Sequence, residues 1–385
     1  MVLDKKYDLT KFSHIYLIGF GKASYGMAQG VHAIVDVTQG AIITTEQKTL
    51  SGIDTYQGTH PLPSQKNIQA TQHLLDIVNT TSEQDLLLVL ISGGGSSLFC
   101  HPTIPLDDLT DLTATLLNKG CTITELNTIR GHLSTVKLGK LAMRTKAHIV
   151  SLIISDVIGD PLDFIASGPT YPGTSTPTDA KKILQKYSLW DTNPAIKKSI
   201  TRAITHQKKE KKVSLKNVDN LIIANNQLAC TKAATVAQKH GYYPYILTTT
   251  LQGEARQIGK DLARYAKIFP RANSIIIAGG ETTVTVTGNG KGGRNQELVL
   301  SALQELHDIP IVIASCGTDG IDGFTNAAGA IADGYSLSRA SKKGLDPCIY
   351  LKNNDSYTFF HKLSDLLITG PTGTNVMDLH VLVIP

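Results

Sequence analysis

Short runs of aliphatic and β-branched residues recur along the chain, and each is followed by a turn and a longer segment with helical spacing of apolar residues. Several runs are apolar at every position, as in parallel strands that are covered on both faces. This repeated order of strand, turn and helix predicts an α/β fold with mostly parallel sheets. The predicted strands are residues 14–18, 41–45, 86–91, 148–154, 221–224, 274–277, 311–314 and 380–384.

The segment at residues 283–287 has a different pattern, because polar and apolar residues alternate strictly and lead into a glycine-rich stretch at 288–293. This pattern predicts an antiparallel or edge strand that ends in a glycine loop, as in a β-hairpin. The length of 385 residues favours two α/β domains, each with its own core. We place the boundary in the polar stretch around residues 206–220, which gives domains at 1–215 and 216–385.

The composition argues against several classes of function. A net charge of +5 is small for this length, and 6% aromatic residues are too few for a nucleic-acid binder that stacks bases. The five cysteines are scattered without a metal-ligand spacing, which predicts reduced thiols and a cytoplasmic protein. The N-terminus lacks the apolar core of an export signal, and no apolar run is long enough to predict a membrane segment.

A glycine turn that ends in a lysine follows the first predicted strand, where residues 19–22 read Gly-Phe-Gly-Lys. We expect Lys22 in the first turn of a helix, where the macrodipole disfavours a cation by roughly 0.3–1 kcal/mol, so a lysine here favours a bound anion. A dinucleotide-binding turn is the alternative, because Glu46 follows the next strand. Ser24 weakens that alternative, because the third fingerprint position requires glycine or alanine.

A second glycine turn follows the most apolar strand, where the sequence continues Ser-Gly-Gly-Gly-Ser-Ser. Consecutive glycines allow backbone N–H groups to converge on an anion, and serine hydroxyls add donors, which suits a triphosphate or a carboxylate. A tight turn without a ligand is the alternative, and the absence of Gly-Lys-Ser/Thr excludes a Walker A loop. The candidate phosphate-binding residues are Ser92, Gly93, Gly94, Gly95, Ser96 and Ser97.

Charged side chains follow two later strands. We expect Arg294 at the start of a helix, where its guanidinium could hold a carboxylate or a phosphoryl group through two parallel hydrogen bonds. Asp319 and Asp322 could accept a hydroxyl proton or bind magnesium, although aspartate is also common in turns. The other candidates are Asp156 as a magnesium ligand, Glu281 and Asn295 beside the glycine loop, and Arg130 and Lys137 in an apparent helix.

Ten segments, in order along nearly the whole chain, resemble the motifs of the MOFRL-type glycerate kinases. They are GFGK at 19–22, GTHPLP at 58–63, SGGGSS at 92–97, NTIR at 127–130, SDV at 155–157, IASGPT at 165–170, GEAR at 253–256, residues 279–297, residues 317–329 and LITGPTGTN at 367–375. The resemblance implies a Rossmann-like, mostly parallel N-terminal domain and a smaller α/β domain with a β-hairpin, whose MOFRL region spans about residues 272–385. It places the active site in the cleft between the domains.

The resemblance also implies a reaction, the transfer of the γ-phosphoryl group of ATP to the 2-hydroxyl of D-glycerate, with Mg²⁺ as cofactor and 2-phosphoglycerate as product. It assigns catalytic roles to Lys22 and Arg294. The chain departs from the family pattern at Phe324, Asn326 and Gly131, where proline, aspartate and a basic residue are usual, and its N-terminus is shorter by about one helix.

Two other functions stay open on the sequence alone. A hydroxypyruvate reductase would bind NAD(P)H at the first glycine turn, but no histidine has a recognisable setting as its proton donor. A non-catalytic protein that binds a phosphorylated metabolite would use the same glycine loops. The sequence predicts small-molecule ligands rather than nucleic acid or membrane partners, and it leaves assembly into a homo-oligomer open.

Overall fold

The computed structural model describes residues 2–207 and 215–385. The chain divides into two compact units. The N-terminal unit comprises Met1–Ile154 and Asp160–Ile223, and the C-terminal unit comprises Ser155–Gly159 and Ala224–Pro385. The predicted boundary between residues 215 and 216 lies next to residues 208–214, which are outside the described residues. The division of the chain into two domains at this boundary stays a prediction.

The N-terminal unit is built on a six-stranded sheet with the strand order β3-β2-β1-β4-β5-β6. Its strands are β1 (Ile15–Phe20), β2 (Gln39–Thr44), β3 (Asp54–Gln57), β4 (Leu86–Ile91), β5 (His148–Ile154) and β6 (Val218–Ala224). Its helices are α1 (Ser24–His32), α2 (Gln65–Thr80), α3 (Gly95–Leu98), α4 (Leu106–Asn118), α5 (Ile123–His132), α6 (Pro177–Lys186) and α7 (Pro194–Gln207).

The strand order explains where a ligand of this unit would lie. Strands β1 to β5 pair in parallel, which confirms the Rossmann-like prediction for this part of the chain. Strand β4 is buried at all six positions, because it lies in the middle of the sheet. The order reverses between β1 and β4, and the carboxyl ends of two such strands form the usual ligand crevice of an open α/β sheet.

The C-terminal unit has a second six-stranded sheet, with the strand order β11-β10-β9-β12-β8-β7. Its strands are β7 (Tyr243–Leu251), β8 (Ser274–Gly280), β9 (Val312–Gly317), β10 (Gly329–Ala332), β11 (Leu366–Leu367) and β12 (Asp378–Ile384). Its helices are α8 (Asn226–Lys239), α9 (Ala255–Lys267), α10 (Arg294–Leu306), α11 (Ser336–Lys342), α12 (Pro347–Lys352) and α13 (Ser356–Leu363).

The last strand organises this second sheet, because β12 lies between β8 and β9 and is antiparallel to both. Its first residue, Asp378, is therefore opposite Gly280 and Gly317, the last residues of β8 and β9. Only β7 and β8 pair in parallel, so the sheet is mixed rather than mostly parallel as the sequence suggested. Helix α10 packs on this sheet, and its residues from Asn295 to Leu303 are all buried.

The predicted hairpin strand at residues 283–287 does not form. Thr283 makes a single parallel bridge with Glu254, and the residues after it bond side chains rather than a neighbouring strand. The N–H of Thr285 donates to the Glu254 carboxylate (3.1 Å), and that of Thr287 donates to Asn354 Oδ1 (2.8 Å). The antiparallel neighbours that are consecutive along the chain here are β9 with β10 and β10 with β11. None of the described helices is both long and apolar enough to cross a membrane.

Candidate active site

The turns after β1 and β4 form one interlocked structure at the carboxyl ends of these neighbouring strands. The N–H of Lys22 donates to the Gly93 carbonyl (2.9 Å), and the N–H of Ala23 donates to Ser92 Oγ (3.0 Å). A side chain on Gly21 would place its Cβ 2.2 Å from Ser92 Oγ, so only glycine permits this close approach. The sequence predicted each turn but not the contact between them.

Lys22 lies just before α1 rather than in its first turn, because the helix begins at Ser24. Its side chain is exposed, and in the described part of the chain its ammonium group has no hydrogen-bond or ion-pair partner. A Cβ on Gly94 would lie 3.4 Å from Lys22 Cγ and 3.1 Å from the ring of His60, so the three residues are neighbours. Burial and the charge of Lys22 lower the pKa of His60, which favours the neutral ring beside a charged lysine.

The glycine turn after β4 offers several free backbone donors. The N–H groups of Gly93, Gly94 and Ser96 donate to no acceptor within residues 2–207 and 215–385. The N–H groups of Gly95 and Ser97, in contrast, close the turn internally, at 3.1 and 3.2 Å from carbonyl oxygens. Free N–H groups concentrated in one turn favour an anionic ligand.

The conformation of this turn depends on glycine at one position. Gly94 has φ of 81°, in the left-handed region that glycine adopts readily. The helix that follows, α3, is a single turn, so the predicted phosphate site consists of loop amides rather than of a helix end.

Arg130 and Lys137, two further candidates of this unit, also come together. Arg130 lies in the last turn of α5, whereas Lys137 follows that helix rather than belonging to it. Burial and then the charge of Arg130 lower the pKa of Lys137. Lys137 Nζ donates to the Ser96 carbonyl (2.6 Å), which connects the pair to the glycine turn.

In the C-terminal unit, Arg294 is the first residue of α10, as the sequence predicted. Its Nε and Nη2 donate to the two carboxylate oxygens of Asp378 (2.6 and 2.9 Å), and its Nη1 lies 2.9 Å from Glu281. Burial opposes the charged form, but the hydrogen bonds and charge of Asp378 outweigh it and raise the pKa of Arg294. The bidentate grip predicted for a ligand is thus made to a carboxylate of the protein.

Asp378 was not predicted from the sequence, and its side chain has no exposed surface. Its only signal was a single carboxylate that opens a terminal strand whose other residues, apart from His380, are apolar. The register of β12 places it between the ends of β8 and β9, where a buried carboxylate needs a charged partner. Arg294 is that partner, so Asp378 fixes the direction of the guanidinium.

Asp322 and Asn295, two further candidates, are hydrogen-bonded to each other at the start of α10. Asp322 accepts hydrogen bonds from the backbone N–H groups of Asn295 and Gln296 (3.1 and 2.9 Å), as a capping residue does. Burial raises the pKa of Asp322, although these hydrogen bonds oppose the shift. Asn295 is fully buried. Its side-chain N–H groups donate to Asp322 and Asp378, and its side-chain oxygen accepts from the Ser315 hydroxyl.

Glu281, Asp319 and Asp156 are the remaining acidic candidates of this unit. Burial raises the pKa of Glu281; the charge of Arg294 opposes this, whereas Asp378, Asp156 and Asp319 raise it further. The described residues contain no group of three or more His, Cys, Asp or Glu side chains that could hold a metal ion. Mg²⁺ often takes only one or two carboxylates and completes its shell with water and phosphate oxygens, so this donor set fits nucleotide-borne magnesium.

Two family models match the chain. A domain of unknown function (DUF4147) matches residues 1–202, and the MOFRL family matches residues 274–378.

Curated relatives match nearly the full length. A glycerate 2-kinase of Pyrococcus horikoshii is 41% identical, with 100% of this chain and 90% of the relative covered. A D-glycerate 2-kinase of Thermotoga maritima is 41% identical over 95% of this chain and 89% of the relative. A crystal structure of the glycerate kinase from that organism has a TM-score of 0.92 and 40% identity, and covers 98% of this chain and 92% of its own. A putative hydroxypyruvate reductase of Agrobacterium vitis is 38% identical, over 96% and 86% of the two chains.

Proposed function

Because this chain belongs to the family of glycerate kinases built from the DUF4147 and MOFRL domains, we propose that it transfers the γ-phosphoryl group of ATP to the 2-hydroxyl of D-glycerate. The products are 2-phosphoglycerate and ADP. The two relatives named as 2-kinases, matched over most of this chain, support the position of the transfer.

The observation that carries this proposal in the molecule itself is the set of unpaired donors at the ends of β1 and β4. The free amides of Gly93, Gly94 and Ser96 lie beside Lys22, whose charge has no counter-ion in the described residues. Phosphoryl transfer needs little covalent help from a protein, and its acceleration comes mainly from positioning and charge neutralisation. We assign the amides to ATP phosphate oxygens and Lys22 to the transferring group.

Our candidates for the acid–base and metal groups lie in the C-terminal unit. Glu281 is our candidate for accepting the proton of the substrate hydroxyl, because its raised pKa makes it a better base than an ordinary carboxylate. Asp156 and Asp319 would hold Mg²⁺, which neutralises phosphate charge when bound. Arg294, oriented by Asp378, keeps its Nη1 on Glu281 until the transferring phosphoryl group competes for it.

One specific observation favours the alternative function, a hydroxypyruvate reductase. Glu46 follows β2, the neighbour of β1, where a dinucleotide-binding protein places the carboxylate that holds ribose. Ser24, however, is fully buried, and its hydroxyl donates to the carbonyls of Gly21 and Ile43 (2.7 and 3.0 Å). Its side chain lies between strand and helix, at the position where the dinucleotide-binding fingerprint requires glycine or alanine for close packing.

A coupled assay with D-glycerate and Mg-ATP tests the proposal, with enolase detecting 2-phosphoglycerate. We expect turnover in the unmodified protein, a loss on the order of 100-fold or more in Lys22→Ala, and normal turnover in Lys66→Ala, which removes an exposed lysine at the start of α2. Absence of product, combined with oxidation of NAD(P)H by hydroxypyruvate, would replace the kinase with the reductase.

A further inference from the structure

Lys137 and Arg130, two neighbouring cations of the N-terminal unit, have no carboxylate partner among the described residues. Lys137 is only 3% exposed, and its Nζ donates to a carbonyl and a hydroxyl, the Ser96 carbonyl (2.6 Å) and Ser167 Oγ (3.4 Å). Arg130 is partly buried, and none of its five N–H donors is used by an acceptor in the described portion of the chain. Neither residue forms an ion pair with a described carboxylate.

The two cations also repel each other. The charge of Arg130 is close enough to Lys137 to lower its pKa, which burial already lowers, and the result is a value of about 7. Cys100 is the other ionisable group near them, and burial raises the pKa of its thiol, so it supplies no negative charge at neutral pH. Like charges that are withdrawn from water without an anion cost stability, and such arrangements are typical of binding sites.

Hydroxyl groups complete the surroundings of the pair. The Oγ atoms of Ser96 and Ser167 are 2.6 Å apart, and the N–H of Leu138 fixes the lysine segment to the Ser167 carbonyl (3.0 Å). Ala166 and Ser167 both have left-handed φ values, 51° and 64°, which non-glycine residues adopt at a cost. The fold thus holds a serine hydroxyl beside a buried ammonium group through a strained backbone.

We propose that Lys137, Arg130 and the two serine hydroxyls form a subsite for the carboxylate of the hydroxy acid. This inference rests on the proposed function and names the groups that select its acceptor substrate. A guanidinium fork matches the planar carboxylate, and the buried ammonium supplies a second positive charge. ATP has separate donors, because the free amides and Lys22 are available for its phosphates.

Steady-state kinetics test the subsite in the full chain. We expect Lys137→Met and Arg130→Met each to raise KM for D-glycerate by about 10- to 100-fold, because each variant loses one hydrogen bond to a charged group. KM for ATP should change less than about twofold. Lys140→Met is the matched control, because Lys140 is also buried but donates to the carbonyls of Gly131 and Ser134 (3.0 and 2.5 Å). It should leave both KM values unchanged.

Calorimetry of the unmodified protein gives a second test that does not depend on a folded variant. At pH 8 Lys137 is mostly neutral when the subsite is empty, so binding of D-glycerate should take up a proton, approaching one per chain. Glycerol, which lacks the carboxylate, should produce no uptake. Uptake with sulfate, a mimic of the phosphoryl group, but not with D-glycerate would assign the cations to phosphate and overturn the proposal.

Different results would reject the carboxylate subsite and the proposed function. Wild-type turnover with unchanged KM for D-glycerate in both variants would reject the subsite and leave the kinase in place. No turnover of D-glycerate by the unmodified protein would reject the proposed function. Proton uptake with another small carboxylate in that case would still support a carboxylate subsite.

Discussion

Replacing Asp378 with alanine should damage both the stability of the C-terminal unit and the orientation of Arg294. The carboxylate of Asp378 accepts two hydrogen bonds from Arg294 and one from Asn295, and it has no exposed surface. Removing one partner of a buried, hydrogen-bonded pair costs about 3–5 kcal/mol. Glu281 also pairs with the guanidinium, which places the expected loss toward the lower end, about 3 kcal/mol.

Urea unfolding at pH 7 measures that loss, and turnover below the unfolding transition measures the effect on catalysis. Glu297→Ala is the matched control, since Glu297 is a buried carboxylate that pairs with Arg256 (2.7 Å) and bonds Asn354 (2.9 Å). We expect similar destabilisation in both variants but a large fall in kcat only in Asp378→Ala. A loss of stability below about 1 kcal/mol, or equal kcat in the two folded variants, would refute the argument that Asp378 positions Arg294.

Three further substitutions test other parts of the account. Lys137→Met should raise the free energy of unfolding by roughly 2–4 kcal/mol below pH 7, because the pKa of Lys137 falls from 10.5 to about 7 on folding. Denaturation at several pH values should show this gain declining as pH rises toward 10.5. A gain in unfolding free energy that does not change with pH would contradict this expectation. Gly94→Ala should cost about 1–2 kcal/mol and raise KM for ATP, whereas Gly120→Ala, at a similar φ of 74° but with no neighbour within 4 Å, should cost the same and leave KM unchanged. Asp322→Ala should lower the free energy of unfolding by about 2–4 kcal/mol in urea titration, because it leaves the start of α10 without its cap; a loss below about 1 kcal/mol would contradict that role.

Local sequence signals were sufficient to predict five of the six strands of the first sheet and its glycine turns, whereas the edge strand β3 was not predicted. The apolar run at residues 86–91 predicts a buried strand, and the glycines after it predict a tight turn or an anion site. Lys22 was found for the same reason, because a cation directly behind a glycine turn is unusual. The error of two residues in the start of α1 reflects the weakness of sequence signals at helix ends.

Partners that are distant along the chain were not predictable from such signals. Asp378 and Arg294 are separated by 84 positions, and their contact depends on β12 inserting antiparallel between two strands. Arg130 and Lys137 are close in sequence, but periodicity does not report that neither has a carboxylate partner among the described residues. The segment at 283–287 had the alternation of a strand, but the sequence could not show that its backbone pairing is limited to one bridge at Thr283.

The most direct test of the central claim is the identity of the phosphorylated product, measured by ³¹P NMR after incubation of the full chain with D-glycerate and Mg-ATP. We predict a resonance of 2-phosphoglycerate that requires both substrates and disappears in Lys22→Ala. A resonance of 3-phosphoglycerate would contradict the proposed position of transfer. No phosphorylated product, with hydroxypyruvate reduced at the expense of NAD(P)H, would contradict the kinase account as a whole.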